Sequence, residues 1–222
     1  MRTYLGELFG TFILVFAGTG AAVINNVSGG AITHPGIALT FGLVVMAMIY
    51  AFGDISGAHL NPAVTIAFGI SGRFPAKKIP AYIISQLLGA FIASLFLRLL
   101  FDNVGNLGAT LPKGSEMQSF ALEIILTWIL MLVILCVSSG SKEVGTLAGI
   151  AIGGVIGLEA MFAGPICGAS MNPARSIAPA VVSGNMTALW LYIAGPILGA
   201  ALAVPCWMLL RPCTPTDNPA RQ

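Results

Sequence analysis

The sequence predicts an all-α membrane protein with six transmembrane helices and two shorter half-helices. Three observations support this prediction. Of the 222 residues, 57% are apolar and only 8% are charged; long apolar segments recur along the whole chain; and two short apolar segments begin with the same tripeptide. Soluble domains carry about 25% charged residues, so the medium around this chain is lipid. The composition excludes disorder, collagen-like repeats and a single anchor attached to a soluble enzyme.

Six segments are apolar over the roughly 20 residues that a helix needs to cross the hydrocarbon. They cover approximately residues 4–25, 36–53, 80–101, 118–138, 145–165 and 187–210. The first is too long for a signal-peptide core and lacks a convincing cleavage site, so we interpret it as a retained membrane helix. A single transmembrane domain is then expected over residues 1–213, followed by a short, polar cytoplasmic tail over residues 214–222.

The Lys and Arg residues predict the orientation of these spans. Only Arg98 and Lys113 fall near one face of the membrane. The opposite face receives Arg2, Arg73, Lys77, Lys78, Lys142, Arg211 and Arg221. Both termini are therefore expected in the cytoplasm, with the protein in a plasma membrane or a bacterial inner membrane. The net charge of +2 is too small and too scattered to indicate a nucleic-acid partner.

Two further apolar segments, residues 61–70 and 172–182, are too short to span. Both begin with Asn-Pro-Ala, and the two motifs are 111 positions apart, which is half the chain length. Asn is a favoured N-cap and Pro fits the first helical position, so each tripeptide starts a helix. A half-helix of about ten residues is about 15 Å long, and two placed end to end match the hydrocarbon thickness.

The repeated tripeptides belong to an internal duplication, with one repeat over about residues 1–111 and the second over about residues 112–213. Glu7 in the first span corresponds to Glu123 in the fourth, and residues 86–90 (QLLGA) correspond to residues 196–200 (PILGA). Each repeat has an odd number of spans, so the second enters the membrane in the opposite sense. The half-helices are expected to enter from opposite faces and to meet near the middle.

At this meeting point two positive helix ends would face each other, each with an Asn amide that can donate to a passing oxygen. Cations would be repelled there. Irregular backbone at membrane depth is tolerated only where protein or a water-filled cavity satisfies its polar groups. We predict such backbone at residues 53–60 and 164–171, lining a pore. The carbonyls expected in the pore wall are those of Gly57, Ala58, His59, Gly168 and Ser170.

Residues 56–65 (SGAHLNPAVT) and 168–176 (GASMNPARS) resemble the two signature loops of the aquaporin, or major intrinsic protein, family. The resemblance covers nearly the whole chain. It implies a homotetramer with one pore per subunit, passive permeation of water or small uncharged solutes, and proton exclusion at the paired Asn residues. The pore motifs that it implies are Asn61, Pro62 and Ala63, and Asn172, Pro173 and Ala174.

The resemblance also implies a narrow extracellular filter formed by Phe41, Ala160, Ala169 and Arg175. Water-only members usually have His where this chain has Ala160, so we expect a wider and less polar filter. The set looks most like the nodulin-26-like branch, which carries glycerol and neutral metalloid hydroxides as well as water, and matches the glycerol facilitators only in part. The expected solutes are water and glycerol, with urea and arsenous acid in addition; the alternative is a strict water channel.

Carboxylates inside membrane spans cost a few kcal/mol unless they find partners. In the family, acids at the places of Glu7 and Glu123 accept hydrogen bonds from the broken loops, so a structural role is expected for both. Glu159 has no counterpart in the repeat. It is either a pore-mouth acid or a satisfied contact of a neighbouring loop. Asp54 either lines the cytoplasmic vestibule or is a solvated loop charge, and the second interpretation is favoured.

Two residues near the predicted pore have two interpretations each. Cys167, expected in the extracellular loop, is either a mercurial target or a buried, inert thiol. His59 is expected to present its backbone carbonyl rather than to titrate as a gate. The four cysteines show neither metal-ligand spacing nor a disulfide framework.

Two other function classes compete with a passive channel. An ion- or proton-coupled transporter also uses inverted repeats and broken helices, but it would need ionisable residues at its site. A poorly conducting junction protein is the other rival. The sequence shows no nucleophile–base pair and no metal cluster, so an enzyme, a cofactor and a metal are not expected.

Overall fold

The structure, a computed structural model, describes residues 1–141 and 145–210. Within these residues it contains eight α-helices: α1 (Arg2–Val27), α2 (Thr33–Ser56), α3 (Pro62–Ile70), α4 (Ile79–Phe101), α5 (Glu116–Ser138), α6 (Ala148–Cys167), α7 (Pro173–Ser183) and α8 (Leu191–Leu210). Several residues discussed above lie outside the described residues: Lys142, Arg211, Arg221, one of the four cysteines, which is Cys213, and the predicted domain end and tail at 213–222.

Six of these helices are long and apolar enough to cross a membrane, and the prediction of six spans is confirmed. The bounds differ from the prediction mainly at the helix ends. The last helix begins at Leu191 rather than near residue 187, because residues 187–190 form turns before it. The first helix is longer than predicted and begins at Arg2.

The two half-helices, α3 and α7, have nine and eleven residues. In each, the Asn before the Pro adopts an extended conformation and caps the helix with its side chain. Asn61 Oδ1 accepts from the Ala63 N–H at 2.9 Å, and Asn172 Oδ1 accepts from the Ala174 N–H at 3.0 Å. The local chemistry of Asn-Pro therefore sets the start of each half-helix, as the sequence predicts.

The irregular stretches before the half-helices are shorter than predicted. Helix α2 continues through Ser56 and α6 through Cys167, so the first parts of residues 53–60 and 164–171 are helical. Each helix ends where a Gly takes a left-handed conformation, with φ 86° at Gly57 and 84° at Gly168. A Gly in this conformation is a common helix terminator because it has no Cβ to clash. The prediction failed because Gly and Pro in the sequence do not by themselves end an apolar helix.

Each half of the bundle contains a close helix crossing, and the two crossings are equivalent in the repeat. A Cβ on Gly89 of α4 would lie 2.2 Å from the Leu8 carbonyl oxygen of α1, and a Cβ on Gly199 of α8 would lie 2.2 Å from the Ile124 carbonyl oxygen of α5. Only glycine permits either contact. Small residues at helix crossings are typical of membrane bundles, where close backbone approach replaces the hydrophobic effect.

The two halves contact each other through α2 and α6. A Cβ on Gly42 would lie 2.6 Å from the Gly153 carbonyl oxygen, and a Cβ on Gly153 would lie 2.6 Å from the Gly42 carbonyl oxygen. The half-helices pack between the halves: α3 lies mainly against α8, and α7 mainly against α4. Each half-helix is therefore held by a long helix from the opposite half, with its N-terminus inside the bundle.

Candidate transmembrane pore

A cavity inside the bundle is lined by both half-helices, by the loops that precede them, and by helices α1, α2, α5 and α6. Most of its wall is aliphatic, as at Val45 and Ile49 of α2 and at Ile152 and Ile156 of α6. The polar groups are concentrated at the two loops and at the starts of the half-helices. This arrangement gives a mostly apolar wall with a few fixed hydrogen-bonding groups.

The two half-helices meet at their Asn residues, both of which line the cavity. Asn61 Nδ2 donates to the Met171 carbonyl at 2.7 Å, and Asn172 Nδ2 donates to the Leu60 carbonyl at 2.9 Å. The contacts are reciprocal, so each loop is bound by the Asn of the opposite half. Each amide has two N–H groups, and this bridge uses one of them.

The loops before the half-helices have unusual backbone conformations at equivalent positions. Ala58 and Leu60 have φ of 46° and 52°, and Ala169 and Met171 have φ of 42° and 53°. Residues with a Cβ rarely adopt this region, and each instance costs of order 1–3 kcal/mol. The surrounding contacts must therefore hold the loops in place.

The loop residues line the cavity with one exception. Gly57, Ala58, His59 and Ser170 are in its wall, as are Leu60, Ala169 and Met171, but Gly168 is not. Gly168 instead terminates α6 and packs against Thr110, whose Cγ2 would lie 3.0 Å from a Cβ at this position. The prediction that the Gly168 carbonyl lines the pore therefore differs from the structure.

A buried carboxylate holds the loop of the first half. Glu7 Oε1 accepts from the Ser56 hydroxyl at 2.7 Å and the His59 N–H at 3.0 Å. Glu7 Oε2 accepts from the Leu60 N–H at 2.7 Å and from Gln86 Nε2 at 2.8 Å. Glu7 is fully buried, and two of its four hydrogen bonds fix the strained loop directly.

Glu123 has the corresponding place in the second half. Its two carboxylate oxygens accept from the Ser170 N–H at 2.7 Å and the Met171 N–H at 2.8 Å. Cys167 stands where the first half has Ser56, and its Sγ accepts from the Ala169 N–H at 3.4 Å. Cys167 is the last residue of α6 and is fully buried. The expected loop position of Cys167 is wrong, and the inert-thiol interpretation fits better than a mercurial target.

The four residues of the expected filter, Phe41, Ala160, Ala169 and Arg175, all line the cavity. The Arg175 guanidinium lies 4.9 Å from the centre of the Phe41 ring and donates to the Gly108 carbonyl at 2.9 Å. Arg175 is only 6% exposed, so these contacts hold a buried cation against one wall. Ala160 and Ala169 contribute methyl groups.

Sequence reasoning missed the segment that supports this arginine. Gly108 binds Arg175, and the neighbouring Thr110 hydroxyl pairs with the Ser176 hydroxyl at 2.7 Å. Both residues lie in the connection between α4 and α5, where no motif or periodic pattern predicted a function. The one local signal is Gly108 itself, whose φ of 70° and close approach to Thr19 require glycine.

Neither interpretation of Glu159 is correct. Its side chain is 1% exposed and does not line the cavity, so it is not a pore-mouth acid. Neither carboxyl oxygen has a hydrogen-bond partner among the residues that the structure describes, so it is not a satisfied loop contact either. Asp54 is exposed in the last turn of α2 and is not in the cavity wall. The solvated interpretation of Asp54 fits, although the residue is on a helix rather than in a loop.

The His59 side chain packs among aromatic residues beside the loop that precedes α3. Its ring stacks on Phe68 with centroids 4.7 Å apart, and its Nδ1 lies 3.1 Å from the Thr65 hydroxyl. Both His59 and Phe68 are in the cavity wall. The ring is thus held in place beside the pore, while its backbone N–H binds Glu7.

The family model described as Major intrinsic protein matches residues 1–207 of this chain. The chain belongs to the major intrinsic protein family. Members of this family are passive channels rather than enzymes, and this chain is accordingly a membrane channel for water and small solutes. The predicted resemblance to the aquaporin family is confirmed.

Relatives within the family refine this placement. Aquaporin NIP1-1 of Zea mays is 50% identical over 223 residues, which cover 100% of this chain and 78% of the relative. The Probable aquaporin NIP-type of Nicotiana alata is 48% identical and is covered over 81% of its length. The nodulin-26-like resemblance is therefore confirmed. The solved aquaglyceroporin from Plasmodium falciparum has a TM-score of 0.82 and 30% identity, with 93% of this chain and 94% of that chain covered.

Proposed function

We propose that this channel conducts small uncharged polyols and hydroxides as well as water: glycerol, urea and neutral metalloid hydroxides such as arsenous acid. The observation that supports the proposal is the pair of methyl side chains at Ala160 and Ala169, in the same cavity wall as Arg175 and Phe41. Larger side chains at these two places would narrow the passage. The similarity to a solved aquaglyceroporin is consistent with a wide filter.

The other two filter residues suit a solute with a polar and an apolar side. A guanidinium has five N–H donors, and one nitrogen of Arg175 already donates to Gly108. The remaining donors can bind solute hydroxyls, while the Phe41 ring contacts the hydrocarbon side. The fixed positive charge of Arg175 opposes the entry of cations.

The middle of the pore excludes ions and protons in this proposal. Two half-helix N-termini meet there, and their partial positive charges add. Asn61 and Asn172 each have a second amide N–H to offer to a passing oxygen. Among the described residues that line the cavity, only His59 and Arg175 are ionisable. A coupled transporter would need a group that binds its driving ion, and the described wall offers no carboxylate for this purpose.

The proposal includes an assembly and an orientation. We infer a homotetramer in a plasma membrane or a bacterial inner membrane, with both termini in the cytoplasm and a pore in each subunit. The repeats of about residues 1–111 and 112–213 then lie in opposite senses in the membrane. The distribution of basic residues supports this orientation.

Uptake by proteoliposomes tests the solute range. We expect the wild-type channel to pass water, glycerol, urea and arsenous acid in light-scattering and uptake assays. Ala160→His should reduce glycerol permeability by at least about tenfold, equivalent to about 1.4 kcal/mol in the barrier, while water still passes. Ala160→Ser is the matched control, because it keeps the side chain small.

Three results would contradict the proposal in different ways. Fast water flow with exclusion of the larger solutes would identify a strict water channel. Solute accumulation driven by a proton or ion gradient would identify a coupled transporter. An absence of osmotic swelling with correctly folded protein would identify a junction protein that conducts poorly.

A further inference from the structure

The hydrogen-bond network around Glu123 is less complete than its counterpart around Glu7. Glu7 accepts from the Gln86 amide and the Ser56 hydroxyl in addition to two backbone N–H groups. In the second half, Pro196 takes the place of Gln86 and Cys167 takes the place of Ser56. A proline side chain has no donor, and a thiol is a weak one. Glu123 therefore has fewer strong donors than Glu7.

Two further polar side chains of the second half are buried without partners. Tyr192 is fully buried, and its hydroxyl has no hydrogen-bond partner in the described part of the chain. The equivalent Tyr82 hydroxyl, in α4, donates to the Ser56 carbonyl at 2.8 Å. Glu159 is 1% exposed, and both of its carboxyl oxygens lack partners among the same residues. Its counterpart in the first half is Met48, which has no such group.

These unpartnered groups lie around Glu123. Glu159 is close enough to Glu123 to interact with it electrostatically, and Tyr192 is similarly close to both Glu123 and Cys167. Glu159, Ala163 and Cys167 follow one another at four-residue intervals along α6, so they share one side of this helix. That side carries the thiol that packs beside Glu123. Three helices, α5, α6 and α8, thus contribute polar groups to one buried region.

We propose that Glu159 and Tyr192 form a buried water-binding site beside Glu123, in which ordered water makes the hydrogen bonds that Gln86 and Ser56 make in the first half. An unpaired polar group in the interior costs about 1–3 kcal/mol, and native proteins satisfy such groups with internal water. A neutral carboxyl both donates and accepts, so Glu159 can bind water without placing a charge in the membrane interior. The site is separate from the solute path, because neither Glu159 nor Tyr192 lines the cavity.

The proposed water site acts on the filter through Glu123. The Glu123 carboxylate binds the N–H groups of Ser170 and Met171, in the loop that carries Ala169 and leads to Arg175. Two residues of this loop hold left-handed conformations, so the loop depends on its anchoring bonds. Glu159 is therefore a positioning residue for the filter, without contact to the solute.

A high-resolution crystal structure of the full-length protein tests the site directly. We expect ordered water about 2.7–3.2 Å from the Glu159 carboxyl and the Tyr192 hydroxyl. Glu159→Met introduces the residue found in the first half and should abolish this water. Infrared difference spectra in light and heavy water should show the C=O band of a protonated carboxylic acid, and Glu159→Gln should remove it.

Transport gives the functional readout. Glu159→Gln should keep the wild-type ratio of glycerol to water permeability, because its amide also donates and accepts. Glu159→Met should change this ratio by at least about threefold, with tetramer assembly retained. Glu116→Gln is the control, since Glu116 is an exposed acid on α5 whose carboxylate accepts from the Trp190 indole.

The inference is overturned if the wild-type structure shows Glu159 bonded directly to protein without water, or if the protonated-acid band is missing. An unchanged permeability ratio in a folded Glu159→Met channel overturns the positioning role. Should this variant fail to fold, the crystal structure of the wild type and the Glu159→Gln spectra still decide. These two readouts do not depend on which solutes pass, so they are independent of the proposed solute range.

Discussion

Each of the two central Asn residues performs two structural tasks with one side chain. The amide oxygen caps its own half-helix, and the amide nitrogen binds the loop of the opposite half. Asp would keep the acceptor but lose the donor, and Ser would be too short to reach across. The residue type therefore follows from needing one acceptor and one donor at the end of a short side chain.

Removing one of these side chains should destabilise the protein. Asn172→Ala removes the acceptor for the Ala174 and Arg175 N–H groups and the donor to Leu60. We expect a loss of about 1–2 kcal/mol from the cap, and more from the broken bridge, measured as a lower thermal unfolding temperature in detergent. Asn185→Ala is the matched control, because Asn185 caps an exposed turn through the Thr187 N–H. Equal unfolding temperatures for the two variants would count against this account.

The anchoring role of Glu7 leads to a second prediction. Glu7→Ala leaves the part-buried His59 N–H and the buried Leu60 N–H without their acceptor, and a buried unpaired group costs about 1–3 kcal/mol. We expect a strongly reduced yield of folded protein in fluorescence-detected size-exclusion chromatography. Glu116→Ala, at an exposed acid, should leave the yield unchanged. A monodisperse, thermally stable Glu7→Ala protein would show that the loop does not need this carboxylate.

The sequence predicted residues whose role is local and missed those whose role is tertiary. Asn61 and Asn172 were predictable because a cap and the Pro after it are adjacent in sequence. The support of Arg175 by Gly108 was not, because 67 residues separate the two and an irregular connection carries no periodic signal. Glu159 was misassigned because it is adjacent to Ala160 in sequence. The sequence does not reveal that Ala160 lines the cavity while the Glu159 side chain is buried away from it.

At the scale of helices, glycine crossings determine how closely the long helices approach. The α1–α4 and α5–α8 pairs are both in contact at a glycine that faces a backbone carbonyl. A backbone carbonyl cannot rotate away as a side chain would. Any residue larger than glycine at position 89 or 199 would therefore clash with it unless the two helices moved apart.

A pair of alanine substitutions tests this constraint. Gly89→Ala places a Cβ 2.2 Å from the Leu8 carbonyl oxygen and should separate α1 from α4, lowering the unfolding temperature and the yield. Gly154→Ala meets nothing within 4 Å and should be neutral or stabilising by up to about 1 kcal/mol, because Ala is the better helix former. The comparison is made by thermal unfolding in the same detergent, and the opposite order of stabilities would refute the crossing model.

The sequence predicted the existence and type of every span but not the ends of α2 and α6. Hydropathy and length identify a membrane helix because its composition is uniform over many residues. The end of such a helix depends on where one glycine turns left-handed, and several glycines near each end were equally plausible. Gly57 and Gly168 were selected by the contacts of the loops that follow them.

At the scale of the whole molecule, each chain encloses its own cavity, and this bears on the proposed tetramer. Subunits with separate pores should conduct independently. In mixed assemblies of wild-type and Ala160→His chains, glycerol permeability should fall linearly with the fraction of the variant. Stopped-flow uptake at defined mixing ratios measures this, with native mass spectrometry to verify four chains per particle. A steeply curved dependence would indicate one pathway shared between subunits.

The reciprocal bond between each Asn and the opposite loop has a consequence for how the channel is made. During synthesis the amino-terminal half emerges first. Its Leu60 carbonyl then lacks the hydrogen bond from Asn172, and its short helix has no partner inside the membrane. The pore is complete only after the second half inserts and Asn172 donates to this carbonyl. Neither half alone forms the complete pore, because both halves contribute to its wall. The two halves must therefore fold together. A partly inserted chain has no open path through which ions could leak.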